Sequence, residues 1–312
     1  GKEDPHWAKR NKVMQDKPTI GMDYKTFGQS GDEEENGTAI VIRDAQTMNT
    51  FAHIVECKGV GDGWIVDRIL EDIDSLGYTD IVLKGDGEPA LIQVMKEVKR
   101  RRQHSTILQW PPAYDPQSNG VVENAVGQWI AQFRALKIGL EKKIGATIGT
   151  SWPVLEWLAE HACLLIDRCS VGRDGKTPYR RIMGKECQQK LIEVGEQVLA
   201  KLKKKKTTKK DALSTKWRRG IWMGVTTRSN EHIVIIDGGE EAVRVRTIKR
   251  RPIDERWSAE SVEAIKATPR HPNVKEVQQK DVKSDDKSRP IGIGGDGVHL
   301  AEVEIHEEDK KL

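Results

Sequence analysis

The segment Gly85–Asn124 constrains this chain most, because it places two acidic residues on neighbouring secondary-structure elements. Asp86 follows residues 80–84, whose apolar centre Ile81-Val82-Leu83 is typical of a short buried strand. Glu123 lies in the first turn of a long predicted helix, and a loop rich in proline, asparagine and glycine precedes that helix. Asp23 lies on an earlier predicted strand. Three carboxylates can therefore meet at one edge of a sheet, and such a cluster can hold a divalent metal ion.

The order of the predicted elements indicates the fold class. Three strands, a helix, a strand, a helix, a fifth strand and two further helices follow one another, which predicts an α/β fold with a mixed five-stranded sheet flanked by helices. Beyond about residue 195, short strand-like pieces and a hairpin turn at 237–239 predict a small all-β barrel. The predicted division is a flexible N-terminus 1–16, an α/β core 17–187, a β-barrel 188–258 and a disordered tail 259–312.

Composition and charge narrow the possible partners. The 312 residues have a net charge of +4, and the lysines and arginines are clustered along the chain, which suits a polyanion such as nucleic acid. The four cysteines lack a paired spacing, so we expect reduced thiols in an intracellular protein. No apolar run is long enough to span a membrane, so no membrane partner is expected. The chain does not begin with Met, and we expect a piece of a longer product.

Several basic and polar residues are candidates for DNA contact. The lysine run can bind phosphates or act as a nuclear import signal, although it can also be a solvated loop. Alternation along a predicted strand puts Arg244 and Arg246 on one face. The polar residues before the long helix either cap it or approach DNA. The predicted DNA-binding set is Gln117, Ser118, Asn119, Lys203, Lys204, Lys205, Lys206, Arg244, Arg246, Lys249 and Arg250.

Several motifs together resemble the integrases of retroviruses and long-terminal-repeat retrotransposons. Asp23, Asp86 and Glu123 resemble the D-D-E triad of that family, and the 36 residues between the last two acids are one more than usual. The segments that carry the resemblance are Gly85-Asp86-Gly87-Glu88, Pro112-Ala113-Tyr114-Asp115-Pro116-Gln117-Ser118-Asn119-Gly120, and Lys176-Thr177-Pro178-Tyr179 with Met183-Gly184-Lys185. The resemblance covers residues 17–187 well and residues 195–256 more weakly.

The resemblance implies an RNase H-like core and a D-D-E polynucleotidyl transferase from a retrotransposon pol polyprotein. The implied reaction is 3′-end processing and strand transfer of element DNA into host DNA in the nucleus. Two Mg²⁺ or Mn²⁺ ions are implied, with Asp23 bridging both, Asp86 holding one and Glu123 the other. The implied partners are duplex DNA, further copies of the chain and a reverse transcriptase from the same polyprotein.

Three alternatives remain open from the sequence. Asp44 also lies at a strand end and rivals Asp23 as the first acid. The chain can be a related transposase or nuclease on the same fold, or a decayed or domesticated copy that binds DNA without catalysis. The integrase N-terminal zinc module is absent from residues 1–16, and His161 and Cys163 do not share a helix face, so no zinc is expected.

Overall fold

The computed structural model describes residues 17–28, 36–61, 63–110, 120–190, 192–202, 216–227 and 229–275. The strands are β1 (Thr19–Phe27), β2 (Gly37–Asp44), β3 (Thr50–Val55), β4 (Ile81–Lys84), β5 (Thr106–Gln109), β6 (Gln197–Lys201), β7 (Trp217–Val225), β8 (His232–Ile236), β9 (Glu241–Val245) and β10 (Ile248–Arg250). The helices are α1 (Trp64–Leu76), α2 (Pro89–Arg101), α3 (Gly120–Ile144), α4 (Val154–Cys169), α5 (Pro178–Met183) and α6 (Ala259–Glu263). None of the helices in these ranges is both long and apolar enough to cross a membrane.

The first five strands form one mixed sheet in the order β3-β2-β1-β4-β5. The strands β1, β2 and β3 form an antiparallel meander, whereas β4 runs parallel to β1 and to β5. The crossovers from β3 to β4 and from β4 to β5 contain α1 and α2. This strand order and these directions confirm the predicted mixed five-stranded sheet of RNase H-like type.

Side-chain alternation along β1 divides the core into two layers. Ile20, Met22 and Tyr24 pack with α1 and α2 on one face of the sheet. The other face packs against α3 and α4, whose Trp129 and Leu158 are completely buried. Because successive side chains of a strand point to opposite faces, Gly21 and Asp23 belong to the face that α3 covers.

The second sheet is all antiparallel and has the order β10-β6-β7-β8-β9, which confirms the all-β character predicted for this part of the chain. It is not packed as an independent body, because its Val198, Trp222 and Val234 belong to the same hydrophobic cluster as the residues of α3 and α4. The indole Nε1 of Trp222 donates to His232 Nδ1 at 3.1 Å. This buried position agrees with a core role for Trp222 rather than base stacking.

The prediction of a disordered tail from residue 259 is wrong for residues 259–275. Ser258 caps α6, and Val262, Ile265 and Ala267 are buried. The backbone carbonyl of Ala267 accepts a hydrogen bond from Trp157 Nε1 of α4 at 2.8 Å. The polar composition of this stretch hid a few apolar side chains that are fixed by contacts far away in sequence. The remaining tail, 276–312, and the predicted flexible N-terminus, 1–16, lie outside the described residues.

Candidate active site

Asp23 is held rigidly on the central strand of the core sheet. It pairs with Val41 of β2, whereas the pairing of β1 with β4 ends at Gly21 and Lys84. Asp23 therefore lies just beyond the end of β4, where the side of β1 is open. Gly21 lets helix α3 approach closely, since a Cβ at this position would lie 3.1 Å from Cβ of Val122.

Asp86 lies in the turn that joins β4 to α2. It follows Lys84 by two residues, as Asp23 follows Gly21, so the two carboxylates leave neighbouring strands at the same level. A Cβ at Gly85 would lie 2.8 Å from side-chain atoms of both Leu91 and Met95, and this packing fixes the backbone before Asp86.

The backbone after Asp86 holds its carboxylate. Gly87 has a φ of 91°, a conformation that favours glycine. The backbone N–H of Glu88 donates to Asp86 Oδ1 at 3.0 Å. Asp86 is exposed to solvent and is oriented by the turn rather than by a basic side chain.

Glu123 lies in the first turn of α3 and is exposed. Its neighbour Val122 is only 1% exposed and packs over Gly21, so the start of the helix is anchored beside the strand of Asp23. The N-terminal end of a helix carries a partial positive charge that favours an acidic side chain there. The position of Glu123 is thus set by the close packing of α3 on β1.

The electrostatics show that the three acids share one neighbourhood. The pKa of Asp23 is raised to about 6, first by partial burial and then by the negative charge of Asp86, with smaller contributions from Glu123 and Glu88. The backbone N–H of Tyr24 acts in the opposite direction and does not cancel the effect. Asp86 and Glu123 are thus near enough to Asp23 for their charges to act on it, and the catalytic role of the three acids stays a prediction.

Asp44, the alternative first acid, lies elsewhere. It pairs with Ile20 and therefore belongs to the face of the sheet opposite Asp23. Its carboxylate is completely buried and accepts hydrogen bonds from Tyr78 Oη at 2.9 Å and from the backbone N–H of Thr47 at 3.0 Å. Asp44 stabilises the turn after β2 and lies apart from Asp86 and Glu123.

The donor chemistry of the three carboxylates fits Mg²⁺, which prefers oxygen ligands and retains several waters. The charge also fits, because a cation would relieve the repulsion that raises the pKa of Asp23. Within the described ranges, no three acidic, histidine or cysteine side chains are close enough together to hold a metal ion. The structure thus shows that the charges of Asp86 and Glu123 act on Asp23, but the three carboxylates are not arranged to coordinate a metal ion.

The predicted DNA-binding residues divide into two groups. The polar residues Gln117, Ser118 and Asn119 lie outside the described residues, and so does the lysine run Lys203, Lys204, Lys205 and Lys206. Their roles stay predictions.

The remaining basic residues belong to the second sheet. Arg244 and Arg246 are exposed on either side of the buried Val245, as the alternation predicted. Lys249 is exposed, with its Nζ 4.6 Å from the ring centroid of Trp217. These three side chains present positive charge to solvent.

Arg250 differs from the other basic residues of this sheet. Its Nε and Nη2 donate to the two carboxylate oxygens of Glu196, each at 2.7 Å. Glu196 is completely buried, and Arg256 Nε is a second, more distant cation at 3.5 Å, so removing Arg250 would take away the closer partner of a buried charge. The structure gives Arg250 a part in holding β10 to the rest of the sheet. Whether it also contacts DNA stays a prediction.

Sequence reasoning missed a basic residue close to the acids. Lys58, in the loop after β3, contacts Glu88 through its ammonium group at 2.9 Å. Lys58 is separated from the acids by up to 65 residues of sequence and shares no motif with them, so no local pattern identified it. Its partner Glu88 belongs to the motif Gly85-Asp86-Gly87-Glu88 that the sequence analysis named.

Comparisons with known proteins find a distant structural likeness. No family model matches the chain, and no curated protein matches it. Among solved structures, the catalytic core of BIV integrase is 18% identical, with a TM-score of 0.38, over 53% of this chain and 93% of that one. The HTLV-2 integrase catalytic core in complex with magnesium is 14% identical, with a TM-score of 0.39, over 53% and 94%.

A longer match is to a simian T-cell lymphotropic virus intasome in complex with PP2A regulatory subunit B56 gamma. It is 13% identical, with a TM-score of 0.41, over 75% of this chain and 78% of that one. At these scores the likeness carries no argument about chemistry. The RNase H-like fold of the core is assigned from its strand order and directions.

Proposed function

We propose that this chain is a metal-dependent polynucleotidyl transferase of the integrase type. The proposed reaction is 3′-end processing and strand transfer of retrotransposon DNA into host DNA. The observation that carries the proposal is the placement of three acids at the open edge of the sheet: Asp23 lies on β1 just beyond the end of β4, Asp86 follows β4, and Glu123 is in the first turn of α3, which packs on β1. The raised pKa of Asp23, caused by burial and by the charge of Asp86, supports it. Perturbed carboxylates of this kind are typical of functional sites.

The chain's own residues would divide the work by their positions. Asp23 is fixed on the central strand, Asp86 is oriented by the N–H of Glu88, and Glu123 is anchored through Val122. Divalent ions, when bound, would activate the nucleophile and stabilise the leaving oxygen. In end processing water attacks the phosphodiester. In joining, a DNA 3′-hydroxyl attacks and one phosphodiester replaces another.

The exposed basic residues of the second sheet support duplex DNA as the partner. Arg244, Arg246 and Lys249 present positive charge that can neutralise phosphates without reading sequence. Joining two element ends in one event would require further copies of the chain. We place the reaction in the nucleus, where chromosomal DNA is found, and a reverse transcriptase of the same polyprotein is a further proposed partner.

A nicking and joining assay tests the proposal. The purified chain is incubated with a duplex ending in a CA step, in Mg²⁺, Mn²⁺ or chelator. We expect metal-dependent products that fall below detection in Asp86→Asn and Glu123→Gln, while DNA binding is retained. The matched control is Asp80→Asn, an exposed aspartate at the opposite end of β4 that pairs with Lys17, and it should keep full activity.

Two outcomes would contradict the proposal. Metal-dependent joining that persists in Asp86→Asn or Glu123→Gln would remove the three acids from the chemistry. DNA binding by the unaltered chain without any product would favour the non-catalytic, DNA-binding alternative.

A further inference from the structure

The loop that follows β3 is tied to the strand that carries Asp23. The backbone N–H of Gly59 donates to the hydroxyl of Tyr24 at 3.0 Å, and Tyr24 is the residue after Asp23 on β1. The ammonium group of Lys58 lies 5.3 Å from the centroid of the Tyr24 ring. These contacts hold Lys58 beside the strand that carries Asp23, on the face of the sheet that Tyr24 shares with α1 and α2, and Lys58 meets the acidic neighbourhood through Glu88.

Lys58 is paired with a fourth carboxylate of the same neighbourhood. Its Nζ lies 2.9 Å and 3.0 Å from the two carboxylate oxygens of Glu88. The N–H of Glu88 in turn holds Asp86, and the charge of Glu88 adds to the repulsion around Asp23. Lys58 therefore brings a positive charge into a group of residues whose excess charge is negative.

Stability alone gives little reason for this pair. Exposed ion pairs contribute about 0–1 kcal/mol, and the side chains of Lys58 and Glu88 are 40% and 28% exposed. The ammonium has three donors and remains open to solvent. A DNA phosphate entering this edge would meet four carboxylates, so a cation held beside them would offset the repulsion.

We propose that Lys58 is a positioning residue for DNA, whose ammonium binds a backbone phosphate at the carboxylate edge while Glu88 holds it in place. The inference rests on the proposed function, since it takes DNA as the substrate of this edge. Lys58 binds the strand and takes no part in breaking or forming the phosphodiester.

The chain offers a matched control for this inference. Lys17 pairs with Asp80 at 3.3 Å, and its side chain is 35% exposed. The two residues precede β1 and β4, so this ion pair lies at the opposite edge of the same sheet. The pairs Lys58–Glu88 and Lys17–Asp80 thus differ mainly in their distance from the three acids.

The test is duplex DNA binding by the full chain, measured over a range of salt concentrations in chelator. We expect Lys58→Ala to weaken binding about 5-fold or more and to lower the slope of log affinity against log salt by about one. Lys58→Arg should restore both quantities, and Lys17→Ala should change neither. Lys58→Ala and Lys17→Ala should unfold at the temperature of the unaltered chain within about 2 °C, because both pairs are exposed.

The result that would overturn the inference is an unchanged salt slope in Lys58→Ala, or a Lys58→Ala variant that behaves as Lys17→Ala does. Because binding is measured without metal, the test is independent of catalysis. A chain that joins no DNA but loses one phosphate contact in Lys58→Ala would contradict the proposed reaction and support the assignment of Lys58. If the unaltered chain joins DNA but Lys58→Ala leaves the salt slope unchanged, the proposed reaction is supported and the assignment of Lys58 is contradicted.

Discussion

Two groups of acidic residues lie close to the core sheet, and they differ in how their charge is compensated. At the open edge, Asp23, Asp86 and Glu123 form no ion pair with any basic residue of the described ranges. Along β3, by contrast, Asp72 and Glu160 bind the two ring nitrogens of His53 at 2.7 Å and 3.1 Å. The first group has excess negative charge, and the second is compensated.

The compensated group is part of the folded core. His53 is only 2% exposed, and Arg68 also donates to Glu160 at 3.1 Å. Burial alone would lower the pKa of His53, but the carboxylates of Asp72 and Glu160 outweigh burial and raise the pKa to about 9. Asp72 and Glu160 thus have cations of the chain beside them, whereas the acids at the open edge leave room for a cation from outside.

The largest expected effect comes from breaking the compensated group. Asp72→Ala leaves the buried imidazolium of His53 without its closer partner, and the free energy of unfolding should fall by about 3–5 kcal/mol. Denaturant unfolding near neutral pH measures this loss. Asp86→Asn, at the open edge, should show no such loss, and equal losses in both variants would remove the distinction between the two groups.

The same group predicts a dependence of stability on pH. Because the pKa of His53 is raised in the folded state, its contribution is complete below about pH 6.5 and is lost as the pH rises through about 9. The loss should be about 3 kcal/mol and should be absent in His53→Gln. Denaturant unfolding at several pH values measures it.

A second buried group changes stability in a different pH range. The pKa of Glu156 is raised to about 7 by burial and by the charge of Glu160. The free energy of unfolding should therefore fall as the pH rises from about 4.5 to about 7, because the folded state keeps this proton longer than the unfolded state does. An unchanged slope above pH 7 in His53→Gln would contradict the assignment of the higher range to His53.

A smaller effect of opposite sign is expected at the open edge. Asp23→Asn removes a charge that is repelled by Asp86 and Glu123, so it should stabilise the metal-free chain. Allowing for partial exposure to solvent, the gain is about 1 kcal/mol near pH 7.5. Thermal unfolding in chelator measures it, with Asp80→Asn as the control that should show no gain. Destabilisation by Asp23→Asn would mean that the carboxylate serves the fold.

The parts of the molecule that sequence could predict depend on local patterns. Alternation and turn residues located the strands of the core, and the motifs around Asp86 and Glu123 made these two acids candidates. The sequence favoured Asp23 over Asp44 because Asp23 lies on the first predicted strand, and the strand register puts the two residues on opposite faces of the sheet. A single sequence does not contain that register explicitly.

The parts that sequence missed depend on distant contacts. Lys58 reaches Glu88 across 30 residues, and Arg250 reaches the buried Glu196 across 54. Residues 259–275 looked polar, yet Ala267 is buried and bonded to Trp157 across 110 residues. Composition gives the average polarity of a segment, whereas packing depends on a few side chains and on the residues that contact them.

Thermal unfolding with and without Mg²⁺ tests most directly the claim that the open edge accepts an external cation. Binding to the folded state raises the unfolding temperature. The account predicts that about 10 mM Mg²⁺ stabilises the unaltered chain and Asp80→Asn, and that Asp23→Asn loses this response. An equal response in Asp23→Asn, or no response in the unaltered chain, would contradict it.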